Sequence, residues 1–229
     1  VSAQTHCREC GVEIAYEPSA LPLVRSIRPT LCDDCARAER EERDALLAAG
    51  EREQRGVPPR YRGATFESFT AHTASQQSAL EAMRDHAGDG VMLLGNAGSG
   101  KTHLACAAID AGPAGSLFAN TAALLDDVRR GYDGDGRGLF ARALSAPLLA
   151  LDDLGSEAVT DWVRDRLYTL INHRWDNCLP LIVTTNVPAA DLAERIGQGV
   201  ASRIAGCCRH RVRIKGPDGR RVASNKETT

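Results

Sequence analysis

Val91-Met92-Leu93-Leu94-Gly95-Asn96-Ala97-Gly98-Ser99-Gly100-Lys101-Thr102-His103-Leu104 is the stretch that decides the fold. Its first four residues form a short apolar run that predicts a buried strand. Leu104 to Ile109 is alanine-rich and apolar enough to be a helix. Between the two, residues 95–102 fit the spacing GxxxxGK[ST] without a mismatch. Glycines there let the backbone wrap closely around an anion, so that successive N–H groups and a helix N-terminus face it. This is a phosphate-binding loop for a nucleoside triphosphate. Lys101 is expected to reach the β- and γ-phosphates and the Thr102 hydroxyl to ligate Mg²⁺. The expected nucleotide-binding set is Gly95, Asn96, Ala97, Gly98, Ser99, Gly100, Lys101, Thr102 and His103. A glycine-rich turn of no consequence would need neither the strand before, nor the helix after, nor Lys-Thr at the end.

Outward from this loop, strand-like apolar runs alternate with helical patterns. The runs lie near 91–94, 116–119, 148–151, 181–184 and 212–214. Between the third and fourth, Val163, Leu167, Leu170 and Ile171 repeat at helical spacing within Asp161 to Trp175. Trp162 and Trp175 are read as packing residues at the ends of that helix. Alternating β and α elements predict an α/β core, a parallel five-stranded sheet between helices. Gly131 to Gly138 reads as a flexible loop; its aspartates lack the bidentate Glu of a calcium loop.

Two further signals bear on chemistry. Leu148-Leu149-Ala150-Leu151-Asp152-Asp153 is an apolar strand ending in paired carboxylates. Asp152 is placed to hold Mg²⁺ through its water shell, and Asp153 to orient or polarise an attacking water. Thr184-Thr185-Asn186 ends the next strand, on the edge of a parallel sheet where the phosphate loop also opens. Asn186 can there hydrogen-bond the γ-phosphate or the water, although an Asn after a strand is also a common turn residue.

Together, Gly100-Lys101-Thr102-His103-Leu104-Ala105, Asp152-Asp153-Leu154-Gly155, Thr160-Asp161-Trp162-Val163 and Thr184-Thr185-Asn186 resemble the DnaC/DnaI helicase-loader and IstB branch of the AAA+ ATPases. Val57-Pro58-Pro59-Arg60-Tyr61-Arg62, with Phe66 and Phe69, resembles that family's lead-in to the core, so the likeness covers residues 57–220. It implies an AAA+ P-loop core over residues 57–229 and Asn186 as the first sensor. It also implies head-to-tail self-association with ATP, an arginine of one subunit entering its neighbour's site. The matching position is Arg203 in Ala201-Ser202-Arg203-Ile204, with Arg195 as the alternative. The catalytic set is then Lys101, Asp153, Asn186 and Arg203.

Two departures qualify the likeness. The usual acidic pair of AAA+ proteins ends in Glu, whereas Asp153 is one methylene shorter, although loaders of this branch often carry Asp. No helical pattern for a lid follows the last strand. A slow, switch-like, Mg²⁺-dependent ATPase, stimulated by DNA or a partner, is expected.

The N-terminus carries a separate signal. Four of the eight cysteines form two pairs, Cys7-x-x-Cys10 and Cys32-x-x-Cys35, separated by a loop suited to a four-cysteine zinc ribbon. Gly11 after Cys10 suits the tight knuckle. Four thiolates close a tetrahedron, so the zinc is expected to be structural, supplying stability that a module of residues 1–36 cannot draw from its core. A redox CxxC would need a thioredoxin-like context, and disulfides conflict with a reducing compartment. His6 is a spare ligand. A charge-dense helical linker is expected over 37–56, ended by Gly56-Val57-Pro58-Pro59. The resemblance implies that the zinc module docks the replicative ring helicase; contact with DNA is the alternative.

A net charge of −2 excludes a global basic field, so any DNA contact must be a local patch. Arg129 and Arg130 are candidates, beside their plain reading as a solvated helix face. No apolar run approaches the ~18 residues of a membrane span, and no secretory pattern opens the chain, so cytoplasmic residence is expected. Four functions follow. The first is ATP-dependent loading of the replicative helicase onto single-stranded DNA. The second is an IstB-like transposition helper on duplex DNA with a transposase. A small-molecule kinase would need an acceptor site and an arginine-bearing lid. An adaptor that binds but barely hydrolyses ATP is the fourth.

Overall fold

The computed structural model describes residues 3–16, 29–85, 88–131, 138–157 and 160–216. It divides into two compact units, Val1–Gly50 and Glu51–Thr229. In the first, β1 (Ala3–His6) and β2 (Glu13–Tyr16) pair antiparallel, Ala3 opposite Tyr16 and His6 opposite Glu13. Their turn carries Cys7 and Cys10 and closes at Gly11, whose N–H donates to the Cys7 carbonyl (2.9 Å) and whose φ of 74° favours glycine. α1 (Asp33–Gln54) begins before the charged run that predicted it. Asp33 and Asp34 suit the electropositive first turn, which therefore takes in Cys35.

In the second unit the chain leaves α1 at Gly56, and the carbonyl of Arg55 accepts from Phe118 N at 2.8 Å. A short 3-10 turn (Pro59–Tyr61) precedes α2 (Ala74–Arg84), β3 (Gly90–Gly95), α3 (Lys101–Ala111), β4 (Leu117–Asn120), α4 (Thr121–Arg129) and α5 (Leu139–Ser145). Then follow β5 (Leu149–Asp152), α6 (Asp161–Asp176), β6 (Leu181–Thr185), α7 (Ala189–Ile196), α8 (Gln198–Cys207) and β7 (Cys208–Ile214). The five strands β3–β7 are all parallel, in the order β4-β5-β6-β3-β7.

Alternate residues of these strands feed two cores. Val91, Leu93, Ala150 and Ile182 pack with α2 and α3, through Met83, Leu104 and Ile109 among others. Met92, Leu94, Leu149, Leu151 and Val183 pack on the other face with α4 to α8, including Leu124, Phe140, Leu167, Leu192 and Ile204. The expected helix-covered parallel sheet is thus present. β7 begins at Cys208, well before the expected 212–214, because its exposed Arg209, Arg211 and Arg213 hide the strand from an apolar-run reading.

One core residue is a cation. Arg174 of α6 is 0% exposed, and its Nη1 donates to the carbonyls of Ala143 and Ala146, both at 2.9 Å. Its Nη2 donates to Pro180 O at 2.6 Å, and burial pulls its pKa down to about 10. The guanidinium therefore caps the C-terminal carbonyls of α5 and fastens the segment leading into β6.

The strand order places the site. β3 leads through α3 to the far edge strand β4, whereas the chain leaving β6 crosses to β7 on the other side of β3. The crevice at the C-terminal ends of β3 and β6 is the switch point at which open α/β sheets bind ligands. Among the described residues no helix is long and apolar enough to cross a membrane. Of the glycine–aspartate run 131–138, only Gly131 and Gly138 lie within the described residues, and residues after 216 lie outside them.

Candidate active site

The loop from β3 to α3 floors a cavity of about 570 Å³ lined by Ala97 to His103, Asp152, Asp153, Thr184 and Asn186. Gly100, at φ 99°, starts α3, and a Cβ there would lie 2.5 Å from the Phe69 ring. Lys101 is 6% exposed, and its ammonium donates to Gly95 O (2.8 Å), Asn96 O (2.8 Å) and Asn186 Oδ1 (2.9 Å). Asn186 in turn donates from Nδ2 to Asp153 Oδ1 at 2.5 Å. A single chain of hydrogen bonds thus joins the ends of β3, β5 and β6.

Asp152 ends β5 at 7% exposure and accepts from Thr102 Oγ1 (3.1 Å) and Thr184 Oγ1 (2.5 Å). Burial pushes its carboxyl pKa up, the Thr184 and Thr102 hydroxyls oppose this, Asp153 adds to the rise and Lys101 opposes it. A divalent cation would offset the cost of holding that buried charge. Thr102 and Asp152, a hydroxyl and a carboxylate side by side, are hard oxygen donors of the kind Mg²⁺ takes. Asp153 has φ 60°, a left-handed conformation uncommon outside glycine that turns its carboxylate off the strand line, toward Asn186. Strained backbone of this kind is characteristic of functional sites.

Of the rest of the lining, the family resemblance marks Arg60, Tyr61 and Phe69, and no sequence signal marks His72 or Gln76. Arg60, Tyr61, Phe69, His72 and Gln76 line the same cavity. Gln76 is 5% exposed; its Nε2 donates to Ser99 O at 3.2 Å and its Oε1 accepts from His72 N at 2.8 Å. It stitches the phosphate loop to the turn before α2. His103 lines the cavity with its ring 5.4 Å from that of Phe69, and its Nε2 lies 3.1 Å from Thr65 O. A proline-rich lead-in without periodicity gives no signal for a wall of this kind, except through the residues that carried the family resemblance.

The two candidate arginines part company. Arg195 lines a second cavity of about 270 Å³ that shares Asp153 and Asn186 with the first, and its Nη1 donates to Gly155 O at 2.8 Å. Arg203 lines neither cavity and lies on the face formed by α6 and α8. Of the surface arginines proposed for DNA, Arg129 is engaged by the Trp162 ring (4.8 Å) and Asp126 (3.7 Å). Trp162 is packed on the core, but Trp175 is 47% exposed, so only the first behaves as a packing residue.

In the N-terminal unit the sulfurs of Cys7, Cys10, Cys32 and Cys35 lie within 4.8 Å of one another, those of Cys10 and Cys32 at 3.7 Å. With Zn–S bonds of about 2.3 Å, a tetrahedron has edges of about 3.8 Å, so the donor set fits zinc. Backbone hydrogen bonds from Cys10 and then Cys32 hold the Cys7 thiol down at about 6, while thiol neighbours, Cys32 foremost, push Cys35 up. Four thiols competing for one another's protons are what a divalent cation resolves.

Comparison with known proteins places this geometry. The family model described as IstB-like ATP binding protein matches residues 37–220. A Mycobacterium tuberculosis protein, named as an ATP-binding protein in an insertion sequence, is 37% identical over 54% of this chain. This chain spans about half of that relative, 53%. A crystal structure of the DnaC helicase loader superposes with TM-score 0.63 at 31% identity, over 69% of this chain and 100% of that one. DnaI superposes with TM-score 0.61 at 20% identity, over 71% of this chain and 93% of that one, a likeness of fold.

Proposed function

The chain belongs to the IstB/DnaC-like family of AAA+ ATP-binding proteins, and from that premise we propose that it loads a replicative ring helicase onto single-stranded DNA, using ATP as an assembly switch. The observation that carries the switch is the hydrogen-bonded chain Lys101–Asn186–Asp153 in the lining of the cavity. ATP entering the loop draws the Lys101 ammonium off the Gly95 and Asn96 carbonyls and onto its phosphates. Asn186 then loses its lysine contact and is released to hydrogen-bond the γ-phosphate or a water. Asp153 orients that water for in-line attack and takes up its proton. Thr102 and Asp152 would hold Mg²⁺, which would draw charge from the phosphate oxygens. The Arg203 guanidinium completes the site of the next copy in a head-to-tail assembly. Zinc held by Cys7, Cys10, Cys32 and Cys35 would fix the module that docks the helicase.

Likeness to the helicase loader extends over the whole of that solved structure, which favours loading. The second reading, a transposition helper acting on duplex DNA with a transposase, is favoured by the insertion-sequence relative. Size exclusion of the full chain with the replicative helicase of its own host separates them. Loading requires a complex that depends on nucleotide and is lost in Cys10→Ser/Cys32→Ser. Absence of a complex in every nucleotide state, with duplex DNA bound instead, overturns loading in favour of the helper.

A further inference from the structure

α6 and α8 lie side by side, and where they meet two aromatic rings rest on two glycines. Tyr168 of α6 lies over Gly199 of α8, where a Cβ would meet the ring at 3.5 Å. Seven residues on in both helices, Trp175 lies over Gly206, where a Cβ would meet the indole at 2.3 Å. A seven-residue step returns to the same helix face. Both rings therefore lie along one helix face, and both stay exposed, Tyr168 at 42% and Trp175 at 47%.

Arg203 sits between them under unusual restraint. Its guanidinium carbon is 4.6 Å from the centroid of the Tyr168 ring. Its Nη2 donates to Tyr168 Oη at 2.9 Å and its Nε to Asn172 Oδ1 at 2.6 Å. Among the described residues no carboxylate pairs with it, whereas nearby Arg164 pairs with Asp161 at 3.4 Å. The charge is thus fixed in direction and left without a counter-ion. A solvated arginine ordinarily keeps its rotamer freedom, and holding the fork in place in advance removes that loss from the moment of use. Fixed direction together with missing neutralisation is what a group meant for an external anion requires.

Resting on the reading that Arg203 completes a second copy's ATP site, we infer that Tyr168 and Asn172 are positioning residues for that arginine and that Trp175 anchors the same contact. The occupant of this face is the rim of a second copy's nucleotide cavity, whose bound triphosphate supplies the missing negative charge. Trp175 has the chemistry of an interface anchor, a large ring half exposed beside a charged group.

Mixed-chain kinetics test this. The Lys101→Ala chain donates arginine but has no working site of its own; the Arg203→Ala chain has a site but no arginine. Mixed, they are expected to recover hydrolysis, titrating to a plateau with rising donor. Adding Tyr168→Ala to the donor is expected to lower the plateau rate about tenfold to thirtyfold, the factor set by re-ordering one long cation. The acceptor's KM for ATP should not change. Tyr168→Phe, which keeps the ring over Gly199 and gives up only the hydroxyl that accepts from Arg203, should lower the plateau by a smaller factor at an unchanged melting temperature, whereas a purely packing role predicts the full plateau. Trp175→Ala in the donor should raise the half-saturating donor concentration and leave the plateau. A donor carrying Tyr168→Ala or Asn172→Ala that reaches the full plateau overturns the positioning role. Failure of the Lys101→Ala donor itself to rescue, while the wild-type chain hydrolyses ATP, overturns instead the trans-acting arginine.

Discussion

Asp152→Asn should make the nucleotide-free protein more stable and the ATP-saturated protein less so. The wild-type carboxylate is nearly fully buried, with burial the main influence on its pKa, and among the described residues the Thr184 and Thr102 hydroxyls donate to its oxygens. Asparagine has the same shape, keeps one oxygen for the Thr184 hydroxyl and offers its NH₂ to Thr102. Both hydrogen bonds survive and the desolvated charge goes. Relieving a charge kept for function gains about 1–2 kcal/mol, and at about 2–4 °C per kcal/mol for a unit of this size the melting temperature rises by about 2–8 °C. Saturating Mg-ATP reverses the order. At about 100 times its dissociation constant a ligand adds about 2.7 kcal/mol, which the wild-type chain collects and the variant, lacking its magnesium carboxylate, largely does not. Thermal unfolding in EDTA and in Mg-ATP reads both effects. The pH dependence has a definite sign. Because the folded carboxyl titrates above its ordinary 3.8, the folded state binds more protons between the two values. Wild-type stability from this group therefore rises as pH falls through that window, and the advantage of Asn shrinks. A variant that melts lower than wild type in EDTA, or an advantage that does not change with pH, refutes the reasoning.

Lys101→Ala should weaken ATP binding about a thousandfold, one unit charge at about 4 Å being worth roughly 4 kcal/mol at intermediate polarity; calorimetric titration showing unchanged affinity would sink the site. Metal analysis should find one zinc per chain, and chelation should abolish amide protection in β1 and β2 while the P-loop unit keeps its melting transition. Substoichiometric zinc with four freely titrating thiols would remove the metal. Gln76→Leu orphans the buried Ser99 carbonyl, at about 1–3 kcal/mol, while the His72 N–H, on an exposed residue, turns to water. Lower melting temperature together with weaker ATP binding is expected, and a loss of stability with unchanged affinity would deny Gln76 any hold on the loop.

The parts of this molecule that a reader of the sequence can find are those where one local rule acts alone. Val91 to Thr102 obeys strand, turn and helix chemistry in succession, and Leu148 to Asp153 is an apolar run with an unmistakable end. The wall opposite the loop obeys no local rule. Arg60, Tyr61, Phe69, His72 and Gln76 come from a turn, an irregular segment and a helix start, and only tertiary packing brings them to one cavity. β7 reads short in the sequence because its pattern is alternation, Arg209, Arg211 and Arg213 between half-buried neighbours, and an edge strand needs no continuous apolar run. α2 buries Gln76, Ala79, Leu80 and Met83 at helical spacing, but the first of these is polar, which leaves a short apolar face of three residues. Trp175 reads inward because it closes a helix of apolar pattern; the structure lays one side of it on Gly206 of another helix and leaves the rest exposed, which no spacing within α6 reveals.

The buried guanidinium of Arg174 bears on how the core assembles. Its four carbonyl contacts come from the end of α5 and from the segment before β6, so neither segment alone can repay the loss of its water. Until both are seated the charge opposes collapse, and afterwards it resists any partial opening that would strip away one set of acceptors. Such a residue sharpens the folding transition while contributing little to the barrier's early side. Kinetically, substitutions there should speed unfolding far more than they slow folding. The half of the sheet that carries β5 and β6 would then open as one piece or not at all.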